Sequence, residues 1–120
     1  MDTPNNAMID RITERFRALA DATRIRILVR LQRVECTVSA LAHELGIGQA
    51  SASKHIAILR QVGFVQVRRH GTQAFCSILD PSVPQLCQVM CEGVTRHIQD
   101  QHASLGLPRT TKATRHRRDP

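Results

Sequence analysis

The hydrophobic pattern of residues 37–62 predicts two short amphipathic helices separated by a glycine turn. The first helix is expected from Thr37 to Leu45, because apolar residues recur there at spacing i, i+3, i+4 and i+7. A break follows at Gly46-Ile47-Gly48, where glycine tolerates left-handed backbone angles. The second helix is expected from Gln49 to Val62, and its inward residues are Ala52, Ile56, Leu59 and Val62. This arrangement is typical of a helix-turn-helix, whose second helix enters the major groove of DNA.

The outward side of the second helix carries the candidate DNA-reading residues. They are small or polar side chains that can reach base edges or phosphates: Gln49, Ser51, Ser53, Lys54 and His55. We expect the first four to enter the major groove, with His55 nearby. The chain has no tryptophan or tyrosine, which disfavours stacking on single-stranded bases, so the expected partner is double-stranded operator DNA.

Alternating residues after the second helix predict a β-hairpin. Val65 and Val67 alternate on the first strand, and Phe75, Ser77 and Leu79 alternate on the second. The tip is expected at residues 68–73, where two arginines, Arg68 and Arg69, stand beside a glycine. Any solvated hairpin can carry two arginines. Directly after a helix-turn-helix, however, they favour a wing that touches phosphates or the minor groove.

Three further amphipathic segments surround this unit. Residues 7–20 place Met8, Ile12, Phe16 and Leu19 on one face, and Asp21 is an N-cap signal for a helix through about Val34. Asp80-Pro81 signals the start of a long helix that is expected to reach about Gln101. Its apolar stripe suits a dimerisation surface and consists of Val83, Leu86, Cys87, Met90, Val94 and Ile98. The predicted fold class is mainly α with a small β-hairpin: a winged helix-turn-helix, in the order α-α-α-α-β-β-α, that dimerises through its terminal helices.

Charge and composition support a small DNA-binding protein. The chain has 120 residues and a formal net charge of +7, which favours a polyanionic partner. Residues 109–120 hold five of the 17 basic residues and follow Gly106-Leu107-Pro108 without apolar periodicity. We therefore predict a DNA-binding and dimerisation domain over residues 1–106 and a basic disordered tail over residues 107–120. The tail could add non-specific DNA affinity or only solubility.

Other function classes find little support in the sequence. No apolar run approaches the roughly 18 residues of a membrane span, so we expect a cytoplasmic protein with no membrane partner and reduced cysteines. The segment from Cys91 to Arg96 resembles a thiol-phosphatase or arsenate-reductase loop. It has four intervening residues where that loop needs five, and it falls in a predicted helix. No nucleotide loop or catalytic triad appears, so we predict that the protein is not an enzyme.

Several motifs together resemble the ArsR/SmtB family of bacterial winged-helix repressors. They are RFRALADATRIRILVRL, ECTVSALAHELGIGQASASKHIAILRQVGFVQVRRHGTQAFCSI and the Asp80-Pro81 helix start, and the resemblance covers roughly residues 8–105. One departure is Gly48, where a serine commonly caps the recognition helix. The resemblance implies a homodimer that occupies an operator and releases it when an inducer binds. The inducer is a metal or metalloid ion in many members, and an oxidant, a reactive sulfur species or nothing known in others.

Two cysteines on the terminal helix are the candidate metal ligands. Cys87 and Cys91 are four residues apart, which places their side chains on one helical face with Cβ atoms about 5–6 Å apart. Two such thiolates suit a soft inducer: As(III) or Sb(III) with a third sulfur, or Cd(II), Pb(II), Zn(II) or Cu(I) with other ligands. Cys36 is a candidate third sulfur, although the matching positions of the Cys-x-Cys motif found in arsenic-sensing relatives are Thr37 and Ser39.

Other interpretations of these cysteines stay open. Cys87 and Cys91 could be small core residues, in which case the repressor is constitutive, or they could form a redox or reactive-sulfur switch. Cys76 is expected to be structural or solvent-facing on the second wing strand. A family-type zinc site would use His97, Asp100 and His102, but its upstream Asp-x-His half is missing, so no obligatory cofactor is predicted.

Overall fold

A computed structural model describes residues 3–106 and consists of five helices and three strands. The helices are α1 (Asn6–Leu19), α2 (Ala22–Leu31), α3 (Val38–Leu45), α4 (Gln49–Gln61) and α5 (Ser82–Ser104). The strands are β1 (Cys36–Thr37), β2 (Val65–His70) and β3 (Gln73–Ile78), and they form one antiparallel sheet in the order β1-β3-β2. The predicted winged helix-turn-helix is confirmed. The predicted tail lies outside the described residues.

Side-chain caps begin the helices where the sequence predicts them. The Asp21 carboxylate accepts from the backbone N–H of Arg24 at 3.1 Å, and the Thr37 hydroxyl accepts from that of Ala40, also at 3.1 Å. Gly46 ends α3 in a left-handed conformation with φ of 68°. The Asp80 carboxylate accepts from the backbone N–H of Ser82 at 2.9 Å, so α5 begins one residue after Pro81. These caps satisfy backbone donors that the first helical turn leaves without partners.

A hydrophobic core holds α2, α3, α4 and the sheet together. Its fully enclosed side chains include Ile27, Leu28, Leu41, Leu59 and Val65. Each helix contributes one face at the helical period, so the amphipathic pattern of the sequence is used to form the core. The chain divides into two compact units after Pro84. The first unit contains this core.

Three features of the sheet and its ends differ from the prediction. The strand β1 was not predicted, because two residues are too short for an alternating pattern and their partner in β3 is distant in sequence. The hairpin is tighter than expected: His70 pairs with Gln73 around a tip at Gly71 and Thr72, so Arg68 and Arg69 lie within β2. Leu79 lies beyond the end of β3 and is exposed.

Candidate nucleic-acid interface and thiol sites

The N-terminal half of α4 presents most of the predicted DNA-reading side chains to solvent. Gln49, Ser51, Ser53 and Lys54 are all exposed, while Ala52 and Ile56 point into the core. The N-cap is Gly48, which makes no side-chain hydrogen bond to the helix. Glycine has no side chain that could accept a hydrogen bond from the first-turn N–H groups of α4. Such N–H groups can donate to a phosphate.

His55 is held by the protein more than the sequence suggested. It is half-buried, and its Nδ1 lies 3.3 Å from Nη1 of Arg24. Arg24 also donates from Nε to the carbonyl of Ala18 at 2.7 Å. Because a guanidinium only donates, Nδ1 of His55 is the acceptor in this contact. Arg24 thus links the recognition helix to the corner between α1 and α2.

A cleft of about 240 Å³ separates α4 from the wing. Gln49, Ser53 and Arg60 line one side, and Arg69 with Gln73 lines the other. Two guanidinium groups with hydroxyl and amide groups can bind a sugar-phosphate backbone. Arg60 was missed as a candidate residue. The signal was present, because positions 49, 53 and 60 follow the spacing i, i+4, i+11 and share one helical face.

The two wing arginines have different environments. Arg68 and Arg69 are adjacent on β2, so their side chains point to opposite faces of the sheet. Arg69 faces the cleft. Arg68 forms an ion pair with Glu35 at 3.0 Å, and its guanidinium lies 4.9 Å from the centre of the Phe75 ring. The sequence pattern makes the two arginines equivalent, and the structure places only Arg69 beside the recognition helix.

Cys87 and Cys91 lie one turn apart on α5, as predicted. Cys87 is half-buried and Cys91 is exposed, and neither is in a disulfide. Burial raises the pKa of the Cys87 thiol, so Cys87 is protonated at neutral pH. Cys91 lies at the edge of a polar surface shared with Gln88 and Thr95. The arrangement combines an accessible thiol with a partly shielded one.

Cys36 and Cys76 are direct partners across β1 and β3. Both side chains are buried, Cys76 completely. Burial raises the pKa of Cys36 and raises that of Cys76 to about 11. Of the two expectations for Cys76, the structure supports the structural one. Cys36 remains a candidate third ligand only as a prediction from sequence.

The candidate zinc-type residues do not form a metal centre by themselves. His97, Asp100 and His102 border the same hollow near the end of α5. Within residues 3–106, however, no three His, Cys, Asp or Glu side chains are grouped so that they could hold a metal ion.

Among residues 3–106, no helix is long and apolar enough to cross a membrane.

Comparison with known proteins places the chain among bacterial transcriptional regulators. Residues 19–68 match the model of a helix-turn-helix domain family. The chain is 36% identical over 102 residues to the HTH-type transcriptional regulator KmtR of Mycobacterium tuberculosis, a match covering 85% of this chain and 74% of that protein. It is 39% identical over 80 residues to the arsenic resistance transcriptional regulator ArsR1 of Pseudomonas putida, covering 66% and 62% of the two chains.

A solved structure shows the same architecture. It is the homodimeric winged helix-turn-helix DNA-binding domain of a possible ArsR-family transcriptional regulator from Mycobacterium bovis, determined by solution NMR. The TM-score is 0.74 at 28% identity, and the match covers 85% of this chain and 97% of that one.

Proposed function

The chain belongs to the ArsR/SmtB family of winged helix-turn-helix transcriptional regulators, and we propose that it is a homodimeric repressor that a soft metal or metalloid ion releases from its operator. The proposed inducers are As(III) or Sb(III), or divalent ions of the Cd(II) and Pb(II) class. The observation that carries the proposal is the pair Cys87 and Cys91, one turn apart on a helix that also exposes an apolar stripe.

The DNA-binding surface is formed by α4 and the wing. Gln49 and Ser53 are exposed on the first turns of α4, where side chains of a recognition helix meet base edges. Arg60 and Arg69 lie on the two sides of the neighbouring cleft, where positive charge suits a phosphate strand. Base readout is therefore proposed for α4, and positioning on the backbone for the cleft.

Dimerisation is supported by apolar surface that a single chain leaves exposed. Met90, Val94 and Ile98 form a stripe on α5 with exposed fractions of 59%, 50% and 45%. On α1, Met8 and Phe16 are more than half exposed. A contiguous apolar stripe of this kind marks a protein-protein contact. A second copy is the proposed occupant, since the related Mycobacterium bovis domain is homodimeric.

The sensor site needs the second copy as well. The described residues of one chain group no third metal ligand near Cys87 and Cys91. A tri-thiolate site for As(III) or Sb(III) therefore takes its third sulfur from the partner's terminal helix. Since Cys87 adjoins the stripe of Met90 and Val94, an ion bound there changes the packing between paired helices. Release follows if the ion binds the DNA-free conformation more tightly.

The test is DNA release by defined ions. A duplex is first selected from a random-sequence pool with the reduced, metal-free protein. Its complex is then titrated in parallel with As(III), Sb(III), Cd(II), Zn(II) and a mild oxidant, and bound DNA is followed by fluorescence anisotropy. We expect release by a thiophilic ion, at lower ion concentration as pH rises, because the ion displaces the Cys87 proton.

Matched variants separate the alternatives. The double variant Cys87→Ser/Cys91→Ser should keep its affinity for DNA and lose the response to the ion. The control His97→Ala/His102→Ala should respond as the wild type does, whereas loss of response there would instead support a family-type zinc site. Release by the oxidant alone would favour the redox switch. A complex that no agent dissociates would identify a constitutive repressor.

A further inference from the structure

Cys36 and Cys76 form a buried thiol pair that the proposed function does not use. The two residues face each other across the antiparallel strands β1 and β3. Directly opposed residues project to the same side of a sheet, with Cβ atoms about 4.5–5.5 Å apart. Both side chains point into the core, where Cys36 is 6% exposed and Cys76 is fully enclosed.

We propose that Cys36 and Cys76 form a second metal site, which takes a soft divalent ion in two-coordinate, linear geometry, with Hg(II) as the best match. Thiolates are the ligands that soft ions prefer. Zn(II) and Cd(II) require further ligands. The Glu44 carboxylate near Cys36 is held by Arg30, and among the described residues no three His, Cys, Asp or Glu side chains are grouped so that they could hold a metal ion. The site is independent of Cys87 and Cys91.

The usual spacing of directly opposed residues favours an ion over a disulfide at this pair. A disulfide holds its Cβ atoms about 3.8 Å apart, which is shorter than the usual spacing of directly opposed residues. A sulfur-metal-sulfur bridge spans a longer gap and needs less movement of the strands. Both cysteines are free in the structure.

Burial of the pair favours a divalent ion over a monovalent one, because burial is the main influence on the pKa of the Cys36 thiol. The Cys36 sulfur lies 4.0 Å from Oε2 of Glu44, and the Glu44 carboxylate is paired with Arg30 at 2.7 Å. Hg(II) with two thiolates forms a neutral group. Cu(I) or Ag(I) with two thiolates leaves one negative charge on a buried group, and burying a net charge is costly.

Binding proceeds by exchange of protons for the ion. Two S–H bonds break, two Hg–S bonds form, and two protons pass to solvent, with no change of oxidation state. Entry requires β1 to open, and this strand has two residues and lies at the edge of the sheet. Local opening of a short edge strand needs no global unfolding. We therefore expect slower capture than at the exposed Cys91.

The ion would connect two parts of the DNA-binding unit. Cys36 directly precedes Thr37, whose hydroxyl caps α3 and whose backbone pairs with Phe75. Cys76 belongs to the strand that also pairs with β2 of the wing. A bridge between the two sulfurs would tie the start of the helix-turn-helix to the wing, and so should raise the melting temperature.

The experiment uses Cys87→Ser/Cys91→Ser protein, in which Cys36 and Cys76 are the remaining cysteines. The reduced protein is titrated with Hg(II) and challenged with excess monothiol. Native mass spectrometry then gives the stoichiometry, and alkylation counts the free thiols. We expect one ion per chain, two protected thiols and a higher melting temperature. Adding Cys36→Ala or Cys76→Ala should lower retention at least tenfold. If Cys76→Ala does not fold, Cys36→Ala on the edge strand provides the same comparison.

Several results would overturn this site. The first is equal retention of Hg(II) by the variants that keep only one of the two cysteines, and the second is an ion that bridges two chains. The third is protection of the thiols from alkylation that appears only after denaturation. The fourth is a loss of two hydrogens without bound metal, which marks a disulfide. The proposed sensor is tested separately in Cys36→Ala/Cys76→Ala protein, where Cys87 and Cys91 remain. Failure of either site therefore leaves the other result interpretable.

Discussion

The winged-helix unit up to Pro84 and the helix beyond it bury apolar side chains to very different degrees. All buried hydrophobic residues of the described chain lie between Ala18 and Val83. From Gln85 to Gly106 no residue is buried, although Met90, Val94 and Ile98 recur at helical spacing. The same amphipathic pattern thus forms a core in one region and an uncovered stripe in the other.

The difference separates a unit that covers its own core from a helix whose apolar stripe stays exposed in a single chain. The core around Leu41 and Leu59 needs nothing outside its own unit, since helices and sheet cover one another. The second half of α5 has apolar surface whose burial would stabilise the protein by about 25 cal/mol per Å². Stability should therefore be sensitive to substitution in the first region, and assembly to substitution in the second.

The largest expected effect is on folding of the first region. Leu59→Ala removes a fully buried side chain of α4, so the free energy of unfolding should fall by about 2–5 kcal/mol. Urea denaturation followed by circular dichroism measures it. The matched control is Val89→Ala on α5, where the side chain is 62% exposed and the change should stay within about 0.5 kcal/mol. A similar fall in the free energy of unfolding in both variants would contradict the difference in burial between the two regions.

The second effect is on assembly. Met90→Glu introduces a charge into the exposed stripe of α5 and should weaken the dimer at least tenfold, or by about 1.4 kcal/mol, while the helical content stays unchanged. Sedimentation equilibrium measures the dissociation constant. Val89→Glu is the control, because Val89 lies on a different side of α5. A dimer that tolerates Met90→Glu but not Val89→Glu would place the interface on the other face.

The third effect separates base reading from phosphate binding within the first region. Gln49→Ala should relax base preference at one position by about 1–3 kcal/mol, because an exposed amide on the first turn of α4 can form paired hydrogen bonds to a base edge. Lys54→Ala should instead weaken selected and scrambled duplexes alike and reduce the salt slope by about one. Binding of both duplexes at several salt concentrations measures these effects. An equal loss on both duplexes for Gln49→Ala would show that Gln49 does not read bases.

The smallest effect concerns the start of α5. The Arg15 guanidinium, 2.8 Å from the Asp80 carboxylate, together with Ser82 lowers the pKa of Asp80 to about 2. The Asp80 carboxylate therefore makes its full contribution to the free energy of unfolding above the unfolded pKa near 4. This contribution is lost as pH falls through about 2. Arg15 is 42% exposed, so solvent limits the ion pair to about 1 kcal/mol or less.

Asp80→Asn tests this contribution by urea denaturation at pH 7 and at pH 2. The variant should be less stable at pH 7, and most of this difference should be lost at pH 2, where about half of the Asp80 carboxyl groups are protonated. A double-mutant cycle with Arg15→Gln isolates the pair from the helix cap. A stability difference that persists unchanged at pH 2 would assign the effect to the cap alone.

Local signals in the sequence were sufficient for the helix-turn-helix and for the exposed side of α4 that we propose to read DNA. Thr37, Gly46 and the spacing of Leu41 and Ala42 act within one or two turns of chain, so their effect does not depend on distant residues. The exposure of Gln49 and Ser53 follows from the same period, since Ala52 and Ile56 must face the core. The order of five helices around a hairpin was predicted for this reason.

Only the tertiary structure decided which distant residues meet. The strand β1 exists because Cys36 and Thr37 find partners about forty residues away in β3, and no local pattern encodes that register. Other long-range contacts place Arg69, and not Arg68, beside α4, hold His55 against Arg24 and bring Cys36 opposite Cys76. Helical periodicity is a property of neighbouring residues, whereas these contacts depend on how the elements pack, and packing is set by the whole core.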